Sequence, residues 1–216
     1  MDYAALRVKM VDGQIRTTDV TSHPVLNAFL SVGREDFVPE GRKAVAYIDN
    51  DTEIAPGRYL MAPSPLAKML QLAEIRPTNH VLDLGAGTGY TAALLGHLAG
   101  SVVALESDEA LAAAAKANVE AIGLSNVSVV TGSLVAGCPS KAPFDVIVIE
   151  GAVEKIPDAL FAQLKQGGRL VAVVGRGPAS GVHVYVREGA ARSERFAFNA
   201  TAPLLPGFEK SPEFHF

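Results

Sequence analysis

The stretch VLDLGAGTGY, Val81 to Tyr90, decides how the rest of the chain is read. An apolar run ends in glycine, glycines recur at 85, 87 and 89, and the helical segment TGYTAALLGHLAG follows. This is the junction of a strand and a helix. Glycine lets a backbone turn tightly and approach a ligand where a Cβ would clash. The helix beyond it presents N–H groups with no partner inside the helix. The spacing is G-x-G-x-G. A dinucleotide fingerprint, G-x-G-x-x-G/A, needs Gly or Ala where Tyr90 stands. Asp83, two residues before the first glycine, is placed to hold an ammonium group or to order the loop, and is badly placed against a pyrophosphate.

Further strand-like runs follow: VVALES, VSVVTG, FDVIVIEG and GRLVAVVG. Between them lie DEALAAAAKANVEAIG, with Asp108 at its start and Gly123 at its end, and IPDALFAQLKQGG. Wholly apolar strands alternating with helices imply a parallel sheet covered on both faces. VHVYVRE and ERFAFNA then alternate with period two and read as an antiparallel end to that sheet. The expected fold is α/β: a Rossmann-like, seven-stranded, mostly parallel sheet. Residues 1–76 read as a helical extension carrying a substrate lip, and 77–216 as the core, in one compact domain. The extension holds a helix over VLNAFLSV, with Thr21 or Ser22 as N-cap and Pro24 in its first turn, and a second helix over PSPLAKMLQLAEI.

At 49% hydrophobic and 19% charged, the 216 residues fill a sizeable core, and the net charge of −4 gives no electrostatic footprint for nucleic acid. The single cysteine, Cys138, excludes an intrachain disulfide and a multi-cysteine zinc site. MDYAALRVKMVDGQIR lacks the apolar centre of a signal peptide, and no apolar run approaches a membrane span. A soluble cytoplasmic protein is expected, acting neither on nucleic acid nor at a membrane.

Glu106 ends VVALE, seventeen residues after Gly89. An acid at the tip of the second strand can accept both hydroxyls of a ribose. With Asp83 it points to a nucleoside with an amino-acid tail, S-adenosyl-L-methionine, whose product is S-adenosyl-L-homocysteine. The loop's Gly85, Ala86, Gly87 and Gly89 would approach that ligand, with Ser107 beside Glu106 and Glu150 as a pocket wall. The alternative is a bare strand–helix turn without a ligand.

HVLDLGAGTGYTAALLGHLA, VVALES and APFDVIVIEGAVEKIPDALFAQLKQGGRLVAVVG resemble the protein-L-isoaspartate O-methyltransferase family of class I methyltransferases. MVDGQIRTTDVTSHPVLNAFLSVGREDFVPE resembles that family's opening, and AVAYIDNDTEIAPGRYLMAPSPLAKML its pre-core segment. The resemblance covers nearly the whole chain. It implies a repair enzyme that methylates the free carboxylate of L-isoaspartyl residues in damaged proteins or peptides. The ester then closes to a succinimide, which partly reopens to aspartate.

The chain departs from the family at two ligand-facing positions. The family segment reads roughly G-Q-T-I-S-x-P; here Tyr59 stands for its Thr, Met61 for its Ser, and Pro63 for its Pro. The resemblance assigns that serine to orienting the substrate carboxylate, and Met61 cannot donate a hydrogen bond. Tyr59 and Ser64 are the nearby hydroxyls. The family's Gly-Asp, whose acid binds the adenine amino group, is here Gly132-Ser133, followed by Leu134. Two rival readings therefore stand beside repair: a methyltransferase with another acceptor, and an inactive cofactor-binding protein. Asp145 and Cys138 read as structural, and His23, His80, His97, His183 and His215 lack metal-ligand spacing.

Overall fold

The computed structural model describes residues 1–189 and 191–210. The extension opens with α1 (Tyr3–Met10) and α2 (His23–Ser31), and Pro24 lies in the first turn of α2 as expected. The main-chain N–H groups of Thr21 and Ser22 both donate to Oε1 of Gln71 (2.8 and 2.9 Å), so a side chain 49 residues or more away satisfies the approach to α2.

Next comes an element that a helical reading of residues 1–76 does not contain, a hairpin of β1 (Thr52–Ala55) and β2 (Arg58–Leu60). Its turn is Pro56-Gly57, with Gly57 at φ 72°. Pro then Gly is the pairing a type II turn favours, and it was the overlooked signal. The helix α3 (Pro63–Leu72) starts where it is read and ends three residues before Ile75.

The seven-stranded sheet comprises β3 (His80–Leu84), β4 (Ser101–Glu106), β5 (Val127–Thr131), β6 (Phe144–Val153), β7 (Leu164–Val174), β8 (Gly181–Glu188) and β9 (Ala191–Asn199). Its order is β5-β4-β3-β6-β7-β8-β9. The five strands from β5 to β7 are parallel, and β8 and β9 close the sheet antiparallel. The chain leaves β3 in one direction through β4 and β5, then returns to build the other half from β6. The carboxyl ends of β3 and β6 therefore form a topological switch point, where such sheets bind ligands.

Strand side chains alternate between two cores. Val81, Val102, Val146 and Val171 face a cluster with Phe29, Phe37, Met61 and Leu66 of the extension and Leu94 of α4 (Tyr90–Leu98). Leu82, Val103, Ile147 and Leu170 face another with Phe144, Leu160, Leu205 and Phe208. Residues of the extension thus supply much of the covering on one face of the sheet.

Asp108 caps α5 (Glu109–Ala121), its Oδ1 accepting from the N–H groups of Ala110 and Leu111. The expected helix over IPDALFAQLKQGG is shorter, α6 (Asp158–Ala162). It ends there because the Gln163 carbonyl accepts from Phe144 N–H and β7 starts at Leu164. Asp145 accepts from His80 N–H and from the Lys165 ammonium, tying β6 to β3 and β7. Cys138 is buried. Of the C-terminal stretch, Pro203 and Leu205 bond to Ala152 of β6, and residues 211–216, including His215, lie outside the described residues. Among the described residues no helix is long and apolar enough to cross a membrane, and no cluster of metal-ligating side chains occurs.

Candidate functional site

Three strand ends converge on the glycine loop. Gly85, Gly87 and Gly89 all have positive φ (88°, 55° and 92°). At Gly87 the space is also needed, since a Cβ would lie 2.7 Å from Cδ1 of Ile54 in the hairpin. Thr88 donates to the Phe37 carbonyl (2.6 Å), and the Phe37 ring meets Tyr90 edge-on at 5.4 Å. Phe37 of the extension thus braces the loop.

Asp83, in β3, is fully buried, and neither carboxylate oxygen has a partner. Burial pushes its carboxyl well above the usual carboxylate range, helped by the nearby acids Glu150 and Glu106. Glu150 sits where β6 bulges: Val148 pairs with Val171, but Ala152 already pairs with Val173. Its Oε2 accepts from Thr91 Oγ1 (2.7 Å) and its Oε1 has no partner. Burial raises this carboxyl too.

Glu106 is different. Burial would push its carboxyl up, but hydrogen bonds from Arg58 and from the N–H groups of Asp108 and Gly87 outweigh this and hold it low. Arg58 of β2 meets it end-on, Nη1 to Oε1 at 2.5 Å and Nη2 to Oε2 at 2.6 Å. Ser107 also donates its N–H to Oε1. Both partners are buried.

The lip is held by a second buried arginine. Arg34 donates from Nε to Ala46 O and from Nη2 to Met61 O, and its guanidinium lies 5.0 Å from the Tyr90 ring centre. The Met61 side chain packs in the core shared with the extension, 1% exposed. Tyr59 is half-buried in β2, opposite Glu53. With Gly57, Met61, Glu150, Gly151 and Leu205 it lines a cavity of about 10 Å³, room for one water at most. Ser64 turns elsewhere: its hydroxyl donates to Gln14 O. Ala86 and Leu134 are buried, whereas Ser107 and Ser133 are exposed. The structure thus brings Asp83, the glycines, Glu106 and Glu150 together, with Tyr59 and Met61 at their rim. A cavity of about 1000 Å³ lies elsewhere, between Phe161, Tyr185, Arg192 and Phe208, and includes none of these groups.

The donor set fits an adenosyl amino acid. Two orphaned carboxylate oxygens of Asp83 suit an ammonium group, and Glu106 is the strand-tip acid that a ribose diol calls for, here paired with Arg58. A family profile described as Protein-L-isoaspartate(D-aspartate) O-methyltransferase (PCMT) matches residues 6–198. The chain belongs to this family.

Relatives of that name agree along the chain. The protein-L-isoaspartate O-methyltransferase of Koribacter versatilis is 42% identical, over 89% of this chain and 86% of its own length. That of Roseiflexus sp. is 36% identical, over 99% of this chain and 100% of its own. A solved protein-L-isoaspartate O-methyltransferase superposes with a TM-score of 0.82 at 25% identity, covering 93% of this chain and 66% of that one. A Plasmodium falciparum structure, solved in complex with S-adenosyl-L-homocysteine, shares the fold with a TM-score of 0.79 at 18% identity. The family is one of S-adenosylmethionine-dependent methyltransferases.

Sequence reading overlooked two site residues, Arg58 and Arg34. Laying the family segment G-Q-T-I-S-x-P on Gly57–Pro63 already places Arg58 where the family has glutamine. Its partner Glu106, 48 residues away, was not deducible from spacing.

Proposed function

We propose that this protein is a cytoplasmic protein-L-isoaspartate O-methyltransferase that esterifies the carboxylate of isoaspartyl residues in damaged proteins, without nucleic-acid or membrane partners. The observation that carries the reading is Asp83: a buried acid with two unpartnered oxygens beside the glycine loop and one strand from Glu106. In this reading residues 77–216 form the cofactor-binding core and 1–76 the lip-bearing extension. Asp83 holds the ammonium group, Glu106 the ribose hydroxyls, and Gly85, Ala86, Gly87 and Gly89 let the backbone approach. Ser107, Ser133, Leu134 and Glu150 form the surrounding wall.

S-adenosylmethionine supplies a sulfonium-activated methyl group when bound. The acceptor is a carboxylate already ionised at pH 7, so the chain need not provide a general base. What its residues contribute is placement and exclusion of water. An apolar lip of Leu60 and Met61, both buried, is compatible with that task. Tyr59 lines the cavity with Met61 and Glu150 and carries a hydroxyl, which is assigned to the acceptor carboxylate in place of the family serine. Release of S-adenosylhomocysteine with an isoaspartyl peptide, compared with its aspartyl twin, tests the proposal. Equal or absent release with both peptides refutes it. A second reading, cofactor binding without turnover, is favoured by Met61 lying in the core where the family has a hydroxyl; binding without release would support it.

A further inference from the structure

The ribose acid of the proposed site already has a ligand, and the chain itself provides it. Glu106 Oε1 accepts from Arg58 Nη1, Ser107 N–H and Asp108 N–H (2.5, 2.7 and 3.0 Å), and Oε2 from Arg58 Nη2 and Gly87 N–H (2.6 and 2.7 Å). A carboxylate offers about four lone-pair sites, and these five donors, with the Ser107 hydroxyl a weaker sixth at 3.4 Å from Oε1, fill them. Nothing remains for two incoming hydroxyls. The same guanidinium also approaches Gly85 O (3.3 Å), over the first glycine of the loop. Around it, Ile54 lies against Gly87, while Leu205 lies against Gly85 and Gly151, where an added Cβ would meet it at 3.1 and 2.8 Å.

We infer that Arg58 is a latch on the cofactor cleft: its bidentate pair with Glu106 and the binding of a ribose diol at Glu106 exclude one another, so the hairpin tip must release before the cofactor enters. This rests on the proposed assignment of Glu106. Arg58 therefore sets cofactor affinity without contacting the reacting atoms.

The architecture suits such movement. β1 and β2 form a separate two-stranded sheet of four and three residues, a size that is marginal without support. Its base is pinned, with Met61 O held by Arg34 and Ala62 N–H by Asp51 (2.8 Å each). Arg58 stands at the far end, immediately after the Pro56-Gly57 turn. A fixed base, and a tip anchored chiefly through the Arg58 side chain to Glu106 and the Gly85 carbonyl, allow the tip to swing while its base stays in place. Charge balance points the same way. The guanidinium is the cation that Glu106 faces in the closed cleft, and on release it leaves the acids of the site to a cationic ligand.

A closed latch lowers apparent affinity by the fraction of molecules that are open. A latch closed in about 90–99% of molecules costs about ten- to a hundredfold. Calorimetric titration of S-adenosylhomocysteine into the full chain and into Arg58→Gln tests this. The expected result is about ten- to a hundredfold tighter binding by Arg58→Gln, with Arg58→Lys in between. Equal or weaker binding by a folded Arg58→Gln overturns the latch, because Arg58 then helps to hold the ligand or is indifferent to it; the methyltransferase reading survives that result. Absence of binding by both the wild type and the folded variant overturns the latch and the proposed cofactor site together. Should Arg58→Gln not fold, nitrogen-15 NMR of arginine side chains in the wild type decides. The Arg58 guanidinium signals should shift on saturation with S-adenosylhomocysteine, and unchanged signals overturn the latch.

Discussion

The Arg34 guanidinium donates to the main-chain carbonyls of Met61 and Ala46, each at 2.8 Å, and so ties the segments at residues 34, 46 and 61 together inside the core. Arg34 is fully buried. Arg34→Met would leave two buried carbonyls without donors, at about 1–3 kcal/mol each. Urea unfolding should show a loss of about 2–5 kcal/mol, and Arg34→Lys should recover only part of it, since an ammonium cannot reproduce the fork. A loss below about 0.5 kcal/mol would show that water replaces these bonds.

Met61 tests whether the lip is chemistry or packing. Its side chain is 1% exposed within the larger core. Met61→Ser should cost about 2–5 kcal/mol, as large-to-small core changes do, and should not raise isoaspartyl methylation. Melting curves and steady-state rates on one variant give both signs. A tenfold gain in rate would instead restore the family's use of a serine hydroxyl here.

Asp83 and Glu150 predict an unusual pH dependence. Both carboxyls are raised in the folded state, Glu150 from 4.5 to about 7. The native protein therefore holds protons that the unfolded chain releases. Their contribution is greatest below the ordinary carboxylate range and is lost as pH rises above it, for Glu150 up to about 7, at up to about 1.4 kcal/mol per pH unit for each group. Glu106 and Asp145, held low, act in the opposite sense, so the informative quantity is a difference between proteins. Asp83→Asn should be relatively more stable than wild type as pH is raised from 5 to 8, and should bind S-adenosylhomocysteine more weakly. Parallel stability–pH curves would mean that Asp83 carries no excess proton.

Glu106 is both a binding group and a structural one. Glu106→Ala strands the buried Arg58 guanidinium, and breaking such a pair costs about 3–5 kcal/mol. Thermal unfolding without ligand should record that loss. Adding Arg58→Gln should return much of it, because partners in contact are not additive. Additive losses in the double variant would deny the pair any energetic coupling.

Local pattern along the chain is enough to specify the sheet and its loop. Strand runs such as VLDLG and VVALE are apolar on both faces apart from Asp83 and Glu106, and two-sided burial leaves a parallel sheet as their consistent arrangement. The positions of Asp83, the glycines and Glu106 follow, because a residue's place at a strand end is a local property of the chain. The hairpin was missed although Pro56-Gly57 marked it: a three-residue strand carries too short a pattern to separate from a loop. Tertiary structure alone decided what the acids face. Asp83 has no partner and Glu106 has Arg58, and nothing in the spacing of residues 58, 83 and 106 distinguishes the two. A side-chain ion pair depends on where two distant backbones come to rest, and that is set by the packing of the extension against the sheet, through Arg34, Phe37 and Met61.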